Sequence, residues 1–256
     1  MRSANLAGKK GLVVGIANDQ SIAWGAARAM HAAGAELAVT WYSDKSLPYV
    51  TPLFDEIGAT LRLPLDVSDT AQQQALFDTL RERWGRLDFL VHSVAFAPRD
   101  DLHGRVLDSS AAGFAQAMDL SCHSFIRLAR DADPLMTQGG SMMTISYLGA
   151  QAVMPGYGIM GPVKAALEAS VRYLASELGP RGIRVNAVSP GPLETRAASG
   201  IAGFDSLIKD SMERAPLRHT LDIEDAGALC AFLASDAARA ISGSTLFVDN
   251  AFHILN

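Results

Sequence analysis

The segment at positions 12–25, LVVGIANDQSIAWG, contains a short apolar run, a glycine and the start of a helical pattern. Gly15 allows a tight turn, and Ser21 stands just before the helix, where it could cap the helix or bond a phosphate oxygen. The open amides and the dipole at a helix amino end favour a phosphate. A glycine turn before a helix also occurs for steric reasons alone, so the segment predicts a strand–turn–helix unit and leaves its ligand open.

The alternation of apolar runs and helical patterns continues along the whole chain. The apolar runs, which we interpret as strands buried on both faces, lie at positions 12–14, 37–40, 61–65, 89–91, 142–145, 185–188 and 246–248. Apolar residues at helical spacing occur at positions 22–33, 71–84, 114–130, 165–178 and 224–233, with a weaker pattern at 206–214. Right-handed crossover helices return the chain to start each strand in the same direction. The sequence therefore predicts an α/β fold, a Rossmann-type doubly wound parallel sheet of about seven strands with helices on both faces.

The domain organisation follows from length and from the absence of a linker-like segment. The chain has 256 residues, 49% of them hydrophobic, and contains neither an internal repeat nor a polar linker. We expect a single domain over residues 1–256. We predict that the poorly patterned segment 190–216 is a substrate lid, the alternative being an ordinary surface excursion.

Composition and charge argue against several classes of partner. The net charge is −5 and charged residues make up 19% of the chain, so no basic field attracts nucleic acid or an anionic membrane. The start of the chain lacks the apolar stretch of a signal peptide, and no later run has the length of a membrane span. Cys122 and Cys230 lack paired spacing and are expected to be free thiols of a reducing compartment. We expect a cytoplasmic protein without a metal site.

Two tyrosines and one lysine stand out between positions 145 and 164. The segment ISYLGA at 145–150 contains Tyr147, PGY at 155–157 ends in Tyr157, and Lys164 follows after six intervening residues. Seven helical steps of ~100° return to nearly the same face, about 10.5 Å further along the axis. Lys164 also leans toward the amino end of its helix, which shortens the gap. Tyr157 and Lys164 can therefore face one cleft.

These motifs together resemble the enoyl-acyl-carrier-protein reductases, a family of the short-chain dehydrogenase/reductase superfamily. The likeness rests on the tyrosine–lysine spacing and on the modified glycine motif, in which Gly15 is followed after five residues by Ser21 and Ile22. It extends from about Gly8 to Phe252 and includes HSVAFAP at 92–98, RVNA at 184–187 and AASGI at 197–201.

The resemblance implies an activity and the residues that carry it. In the family, hydride passes from NADH to the β-carbon of a trans-2-enoyl thioester in fatty-acid biosynthesis, and charge develops on the thioester oxygen. Tyr157 would hydrogen-bond that oxygen and Tyr147 would assist near the carbonyl, while Lys164 would hold the nicotinamide ribose. The backbone of Ala97 and the Tyr157 side chain would contact the substrate. The implied partners are an enoyl thioester on acyl carrier protein and other copies of the chain in a homotetramer.

Cofactor-binding residues are expected along the carboxyl ends of the strands. Asp66 could accept from the adenine amino group beside the Val67 backbone, or could instead turn the chain. Positions 40–44, beside the expected ribose, contain no arginine, which favours NADH; Lys45 nearby leaves NADPH open. The complete expected set is Gly15, Ser21, Ile22, Tyr42, Asp66, Val67, Val94, Ala95, Lys164, Leu193, Glu194, Thr195, Arg196 and Ala197.

The sequence departs from the usual family pattern at five places. These are Ala95, Gly158, Pro162, Glu194 and the pair Asn250-Ala251. Because proline costs about 3 kcal/mol inside a helix but little in its first turn, we predict that the helix begins near Gly161. Glu194 should weaken dinucleotide binding unless it points away.

Two other functions are compatible with the same fold. One is a reductase of carbonyl substrates, although the Tyr-x-x-x-Lys spacing of such enzymes does not occur in this segment. The other is a catalytically silent dinucleotide-binding paralogue, which the five departures motivate. His92, within a predicted buried strand, is interpreted as structural rather than catalytic.

Overall fold

The computed structural model describes residues 4–195 and 204–255. Its strands are β1 (Lys10–Val14), β2 (Glu36–Trp41), β3 (Leu61–Pro64), β4 (Phe89–His92), β5 (Gly140–Ile145), β6 (Ile183–Pro190) and β7 (Thr245–Val248). Its α-helices are α1 (Ile22–Ala32), α2 (Leu47–Glu56), α3 (Thr70–Trp84), α4 (Arg99–His103), α5 (Ala111–Met118), α6 (Ser124–Ala132), α7 (Met160–Leu178), α8 (Phe204–Arg214) and α9 (Ile223–Ala234).

All seven strands form one parallel sheet in the order β3-β2-β1-β4-β5-β6-β7. In the register, Val13 of β1 lies opposite Val39 of β2 on one side and Val91 of β4 on the other. The predicted Rossmann-type sheet is confirmed. Because the order reverses between β1 and β4, the crevice for a ligand opens at the carboxyl ends of these two strands.

The apolar core lies in two layers, one on each face of the sheet. Leu12 and Val14 point into the layer under α3, α6 and α7, whereas Val13 points into the layer under α1, α2 and α9. The central strands are therefore buried on both faces, and each fully buried valine or leucine contributes about 1.5–3 kcal/mol. The prediction of two buried faces was wrong for β3 and β7, the edge strands, whose residues are mostly half-buried.

Helices α1 and α9 cross in close backbone contact. A Cβ on Gly25 would lie 2.2 Å from the carbonyl oxygen of Ile223, and one on Gly227 would lie 2.3 Å from that of Gly25. Arg28 and Glu224, 196 residues apart, form an ion pair of 2.7 Å beside this crossing. Helix α9 therefore fixes the position of α1, the helix that follows the turn at Gly15.

Several elements differ from the sequence pattern. Helices α2 and α4 are absent from the predicted set, and α2 contains Pro48 and Pro52, which lower helical propensity. The predicted helix at 114–130 is divided: a π-helical turn, Asp119–His123, separates α5 from α6. Its extra backbone residue leaves no mark on the apolar periodicity.

The segment at 190–216 is described only in part. The predicted weak helix exists as α8, and it buries Leu207 and Ser211. Residues 196–203 lie outside the described residues. Among the residues that are described, no helix is long and apolar enough to span a membrane. Cys122 and Cys230 are buried free thiols, as expected.

Candidate active site

The turn after β1 approaches the end of β4 at the reversal point of the sheet. Gly15 has φ +108°, and a Cβ there would lie 2.1 Å from the carbonyl oxygen of Ser93. Only glycine fits this left-handed backbone and this close approach. The backbone of this turn therefore lies directly against the residue that follows β4, at the carboxyl ends of the strands where the crevice opens.

The amino end of α1 lacks a side-chain cap. Ser21 occupies the N-cap position, but its hydroxyl donates to the carbonyl oxygen of Asn18 at 2.7 Å instead of accepting from the helix amides. The capping role considered for Ser21 is therefore wrong. By contrast, Asp69 and Asp222 accept two amide hydrogen bonds each at the starts of α3 and α9. In the first turn of α1 the amide of Trp24 donates to the carbonyl oxygen of Ser21 at 2.8 Å, so the amides of Ile22 and Ala23 are the ones left for an anion, which fits a pyrophosphate.

The expected adenine-binding residues lie just beyond β3, which ends at Pro64 and not at Asp66. One carboxylate oxygen of Asp66 accepts from the amide and the hydroxyl of Ser68, at 2.9 and 2.7 Å. Asp66 thus stabilises its own turn, the alternative considered above. The carbonyl oxygen of Val67 accepts from the Arg127 guanidinium at 2.8 Å, which fixes the backbone that would grip the adenine. Tyr42, at the end of β2, is exposed.

The loop after β4 holds the expected nicotinamide and substrate contacts. Val94 and Ala97 are half-buried and Ala95 is exposed. Ser121, in the π-helical turn, accepts from the amide of Phe96 and donates to its carbonyl oxygen, both at 2.8 Å. The two hydrogen bonds anchor the loop between Ala95 and Ala97. Sequence analysis missed Ser121, because 25 residues separate it from its partner.

The two tyrosines pack against each other at the carboxyl end of β5. The ring centroids of Tyr147 and Tyr157 are 4.8 Å apart, and a Cβ on Gly149 would lie 2.3 Å from Cδ1 of Tyr157. Burial raises the pKa of Tyr157 well above its ordinary range, and Tyr147 and Glu168 raise it further. The phenol therefore keeps its proton and remains a hydrogen-bond donor.

The hydroxyl of Tyr147 is buried and has no hydrogen-bond partner among the described residues. Burial raises the pKa of Tyr147 above its ordinary range, and the carboxylate of Asp249 raises it further. A buried hydroxyl without a partner costs free energy that a bound group can recover. Tyr147 thus offers a donor to a polar atom of a ligand.

Lys164 lies in α7 with 4% of its surface exposed. Its Nζ donates to the carbonyl oxygen of Ile145 at 2.6 Å, and its other two N–H groups remain available for ribose hydroxyls. Burial lowers the pKa of Lys164 to about 8, while Cys122 and Glu168 oppose this shift. The ammonium form therefore predominates at pH 7.

Sequence analysis did not identify Glu168 as part of this site. The carboxylate is buried and accepts from Ser146 Oγ at 2.6 Å and from Gln151 Nε2 at 2.8 Å. The lysine-to-glutamate spacing of four residues was the available signal, because it places both side chains on one face of a helix.

The loop after β6 is described as far as Thr195. Leu193 is buried, Glu194 is exposed, and the amide of Thr195 donates to the carbonyl oxygen of Leu193 at 2.8 Å. The expected contacts of Arg196 and Ala197 lie outside the described residues.

The structure accommodates three of the departures from the family pattern, at Gly158, Pro162 and Glu194. Gly158 has φ +50°, a conformation for which glycine is suited. Helix α7 begins at Met160, which places Pro162 in the first turn as predicted. The exposure of Glu194 keeps its carboxylate in water, where it weakens anion binding less. Asn250 and Ala251 both have positive φ, +56° and +65°, so the alanine is strained where glycine would not be.

His92 is structural, as predicted. Its Nδ1 lies 2.8 Å from Thr144 Oγ1, and its Nε2 lies 2.9 Å from Ser124 Oγ. Because the Ser124 hydroxyl donates to the carbonyl oxygen of Leu120, Nε2 carries the proton and Nδ1 accepts from Thr144. Burial, with the charge of Lys164 acting in the same direction, lowers the pKa of His92 to about 3.

The parallel sheet, the open end of α1 and the buried tyrosine–lysine pair define a nicotinamide-dependent oxidoreductase of the short-chain dehydrogenase/reductase class. A family profile described as "Enoyl-(Acyl carrier protein) reductase" matches residues 15–253. The chain therefore belongs to the enoyl-acyl-carrier-protein reductase family, and the predicted resemblance is confirmed.

Curated relatives and solved structures agree with this assignment. The chain is 49% identical to "Enoyl-[acyl-carrier-protein] reductase [NADH] 1" of Rhizobium meliloti, over 96% of this chain and 90% of the relative. It is also 49% identical to the NADH-dependent enzyme FabI of a Nostoc species, over 98% of both chains. The crystal structure of the Anaplasma phagocytophilum reductase in complex with NAD superposes with a TM-score of 0.95 at 46% identity, covering 100% of this chain and 98% of that one.

Proposed function

We propose that this protein reduces the trans-2 double bond of enoyl thioesters, carried on acyl carrier protein, with NADH in fatty-acid biosynthesis. The observation that carries the proposal is the cluster of Tyr147, Tyr157 and Lys164 at the carboxyl end of β5, beside a helix end that is open to a dinucleotide. When bound, the dihydronicotinamide supplies the hydride that adds to the β-carbon of the substrate.

Residues at the carboxyl ends of the strands would bind the cofactor along its whole length. The turn at Gly15, together with Ser21 and Ile22 at the start of α1, would hold the pyrophosphate, and the turn at Asp66 and Val67 would hold the adenine. Tyr42 would flank the ribose. The nicotinamide would lie along Val94 and Ala95 and under the loop that begins at Leu193.

Tyr157 would donate its phenolic hydrogen to the thioester oxygen. Charge develops on this oxygen only as the β-carbon is reduced, so a donor aimed at it lowers the barrier more than it stabilises the bound substrate. The buried phenol keeps this proton throughout the pH range of the cell, because burial raises its pKa. Tyr147, with its unpartnered hydroxyl, would assist at the same carbonyl.

Lys164 would orient the cofactor and balance charge. One N–H already donates to the carbonyl oxygen of Ile145, and the other two would bind the ribose hydroxyls. The positive charge would also stabilise the developing oxyanion near Tyr157. Because the pKa of Lys164 is lowered to about 8, turnover should decline as the pH rises above that value.

The larger organisation is part of the proposal. We infer that residues 1–256 form one domain, that segment 190–216 closes over the substrate as a lid, and that four copies assemble. Two buried thiols agree with a reducing compartment, so we place the reaction in the cytoplasm.

An assay of NADH oxidation tests the proposal. The purified protein should reduce crotonyl and longer trans-2-enoyl thioesters on acyl carrier protein, and NADH should be preferred to NADPH. Acetoacetyl thioesters serve as the matched control, since they differ in presenting a carbonyl for reduction. Turnover of acetoacetyl but not of enoyl thioesters would assign a carbonyl reductase instead. Cofactor binding without any turnover would assign a silent paralogue.

A further inference from the structure

The buried carboxylate of Glu168 lies one helical turn beyond Lys164 in α7. Each of the two residues has 4% of its surface exposed. The two donors that the carboxylate accepts from, Ser146 and Gln151, are neutral groups. A buried carboxylate is expensive unless charge or several hydrogen bonds compensate it, so it calls for an explanation that a solvent-exposed helix residue would not.

Glu168 and Lys164 hold two successive residues at the end of β5. Lys164 donates to the carbonyl oxygen of Ile145 at 2.6 Å, and Glu168 accepts from the hydroxyl of Ser146 at 2.6 Å. The next residue is Tyr147, whose ring packs on Tyr157. Helix α7 therefore fixes the orientation of Ile145 and Ser146, the two residues immediately before Tyr147.

The charge of Glu168 acts on both of the groups that the reaction needs in protonated form. Burial lowers the pKa of Lys164, and Cys122 and Glu168 oppose this shift. Burial raises the pKa of Tyr157, and Tyr147 and Glu168 raise it further. One carboxylate thus favours the ammonium and the neutral phenol together.

Other titratable groups that face Lys164 do not supply this charge. His92 faces it from β4 and Cys122 from the π-helical turn, while Tyr157 precedes α7. Burial lowers the pKa of His92 to about 3 and raises the pKa of the Cys122 thiol. Both are therefore neutral at pH 7.

We propose that Glu168 is a positioning residue of the active site: through Ser146 it fixes the segment that carries Tyr147, and its charge stabilises the ammonium of Lys164. The inference rests on the proposed roles of Tyr157 and Lys164. It assigns the carboxylate no contact with the substrate or the cofactor.

The decisive variant is Glu168→Gln, which keeps the size of the side chain and an acceptor for Ser146 but removes the charge. The alkaline limb of the kcat–pH profile should move to lower pH by about one unit, so that kcat above the limb falls roughly tenfold while kcat near pH 6 changes little. Glu177→Gln, on the exposed part of the same helix, should keep the parent profile. A lower melting temperature of Glu168→Gln with an unmoved limb would show a structural role only and would overturn the proposal.

Ser146→Ala tests the positioning part separately, because it removes the hydrogen bond and keeps the charge. We expect a lower kcat at every pH, with the alkaline limb in the parent position. Unchanged turnover in Ser146→Ala would overturn the positioning role, and this variant decides alone if Glu168→Gln does not fold.

A titration without turnover separates this inference from the proposed function. NMR of isotopically labelled lysine side chains, with Lys164 assigned by its loss in Lys164→Met, should show a lower pKa for Lys164 in Glu168→Gln. An unchanged titration would overturn the charge effect even if the parent reduces enoyl thioesters. A shifted titration would support it even if the parent does not reduce them.

Discussion

In the proposed reaction, Tyr157 is the residue on which the chemistry depends most directly. Its phenol is buried, protonated and packed on Tyr147. Tyr157→Phe keeps the ring and removes the donor, so kcat on an enoyl thioester should fall about 10²- to 10³-fold while NADH binds as before. NADH oxidation and a fluorescence titration of NADH measure the two effects. Tyr49→Phe, at an exposed tyrosine of α2, is the control, and a loss of only a few-fold in Tyr157→Phe would contradict the assigned role.

Gly158 shows how a departure from the family pattern can be read from the backbone. A Cβ on Gly158 would lie 2.7 Å from the carbonyl oxygen of Leu102, whereas Gly58, with a similar φ of +56°, has no atom within 4 Å of its Cβ position. Gly58→Ala should therefore cost only the left-handed backbone term of about 1–2 kcal/mol. Gly158→Ala should cost more, because the carbonyl must also move. Urea denaturation compares the two variants, and equal losses would contradict the steric argument.

The buried His92 predicts how stability depends on pH. Folded His92 has a pKa of about 3, whereas the unfolded residue has the ordinary histidine pKa of 6.5. The unfolded state therefore binds the proton first, so the contribution of His92 to the free energy of unfolding is present above pH 6.5 and is lost as the pH falls toward 3. The slope approaches about 1.4 kcal/mol per pH unit.

Melting temperatures between pH 7 and pH 5 provide the measurement. His92→Gln should flatten this dependence, and His31→Gln, at an exposed histidine of α1, should not. If all three proteins had the same dependence, another group would be responsible.

At the residue scale, sequence alone could identify what lies within one local motif. Tyr147, Tyr157 and Lys164 could be selected from their spacing in the family pattern, although the helical repeat used to place Tyr157 beside Lys164 does not apply, because Tyr157 precedes α7. The hydrogen bonds of Glu168 to Ser146 and of Arg127 to Val67 join residues 22 and 60 positions apart. Such pairs depend on how a helix packs on the sheet, which one sequence does not specify.

At the scale of elements, the turn after β7 contains strain that sequence analysis located but could not explain. Ala251 has φ +65°, so Ala251→Gly should stabilise the protein by about 1 kcal/mol. Ala32→Gly, at the exposed end of α1, should instead destabilise it by up to about 1 kcal/mol. Thermal unfolding of both variants gives the comparison. A destabilised Ala251→Gly would show that the methyl group packs usefully despite the backbone conformation.

The π-helical turn between α5 and α6 supports both ends of the cofactor crevice. Ser121 anchors the loop after β4, and Arg127, held by Asp119, anchors the backbone at Val67. A π-helical turn often occurs at functional sites because it redirects side chains within a helix. The apolar pattern predicted a helix here but not the extra residue of the π-helical turn. Helix α2 was missed for a different reason, because its two prolines lower helical propensity.

For the whole molecule, the sequence was sufficient to predict the architecture. The central strands contain short apolar runs and the crossovers are helical patterns, and together these two features indicate a parallel sheet. The partial burial of the edge strands β3 and β7 was less predictable. Their apolar runs resemble those of the central strands, but each edge strand has a neighbouring strand on one side only. Neither the strand pattern nor the helix pattern determines the oligomeric state, which remains a prediction from the family resemblance.

We expect a homotetramer that buries the outer faces of α5, α6 and α7. Tyr173, on α7, is 73% exposed in the single chain, and the expected assembly would cover it. Tyr173→Asp should therefore yield smaller species in sedimentation, whereas Tyr49→Asp, 68% exposed on α2, should not. A monomeric parent protein at micromolar concentration would contradict the expected assembly.

The glycine contact between α1 and α9 also bears on the order of events during synthesis. The turn at Gly15 is translated 212 residues before Gly227, against which α1 packs. A nascent chain therefore cannot complete its dinucleotide pocket until α9 has emerged. NADH would consequently protect from degradation only chains that have been translated beyond α9.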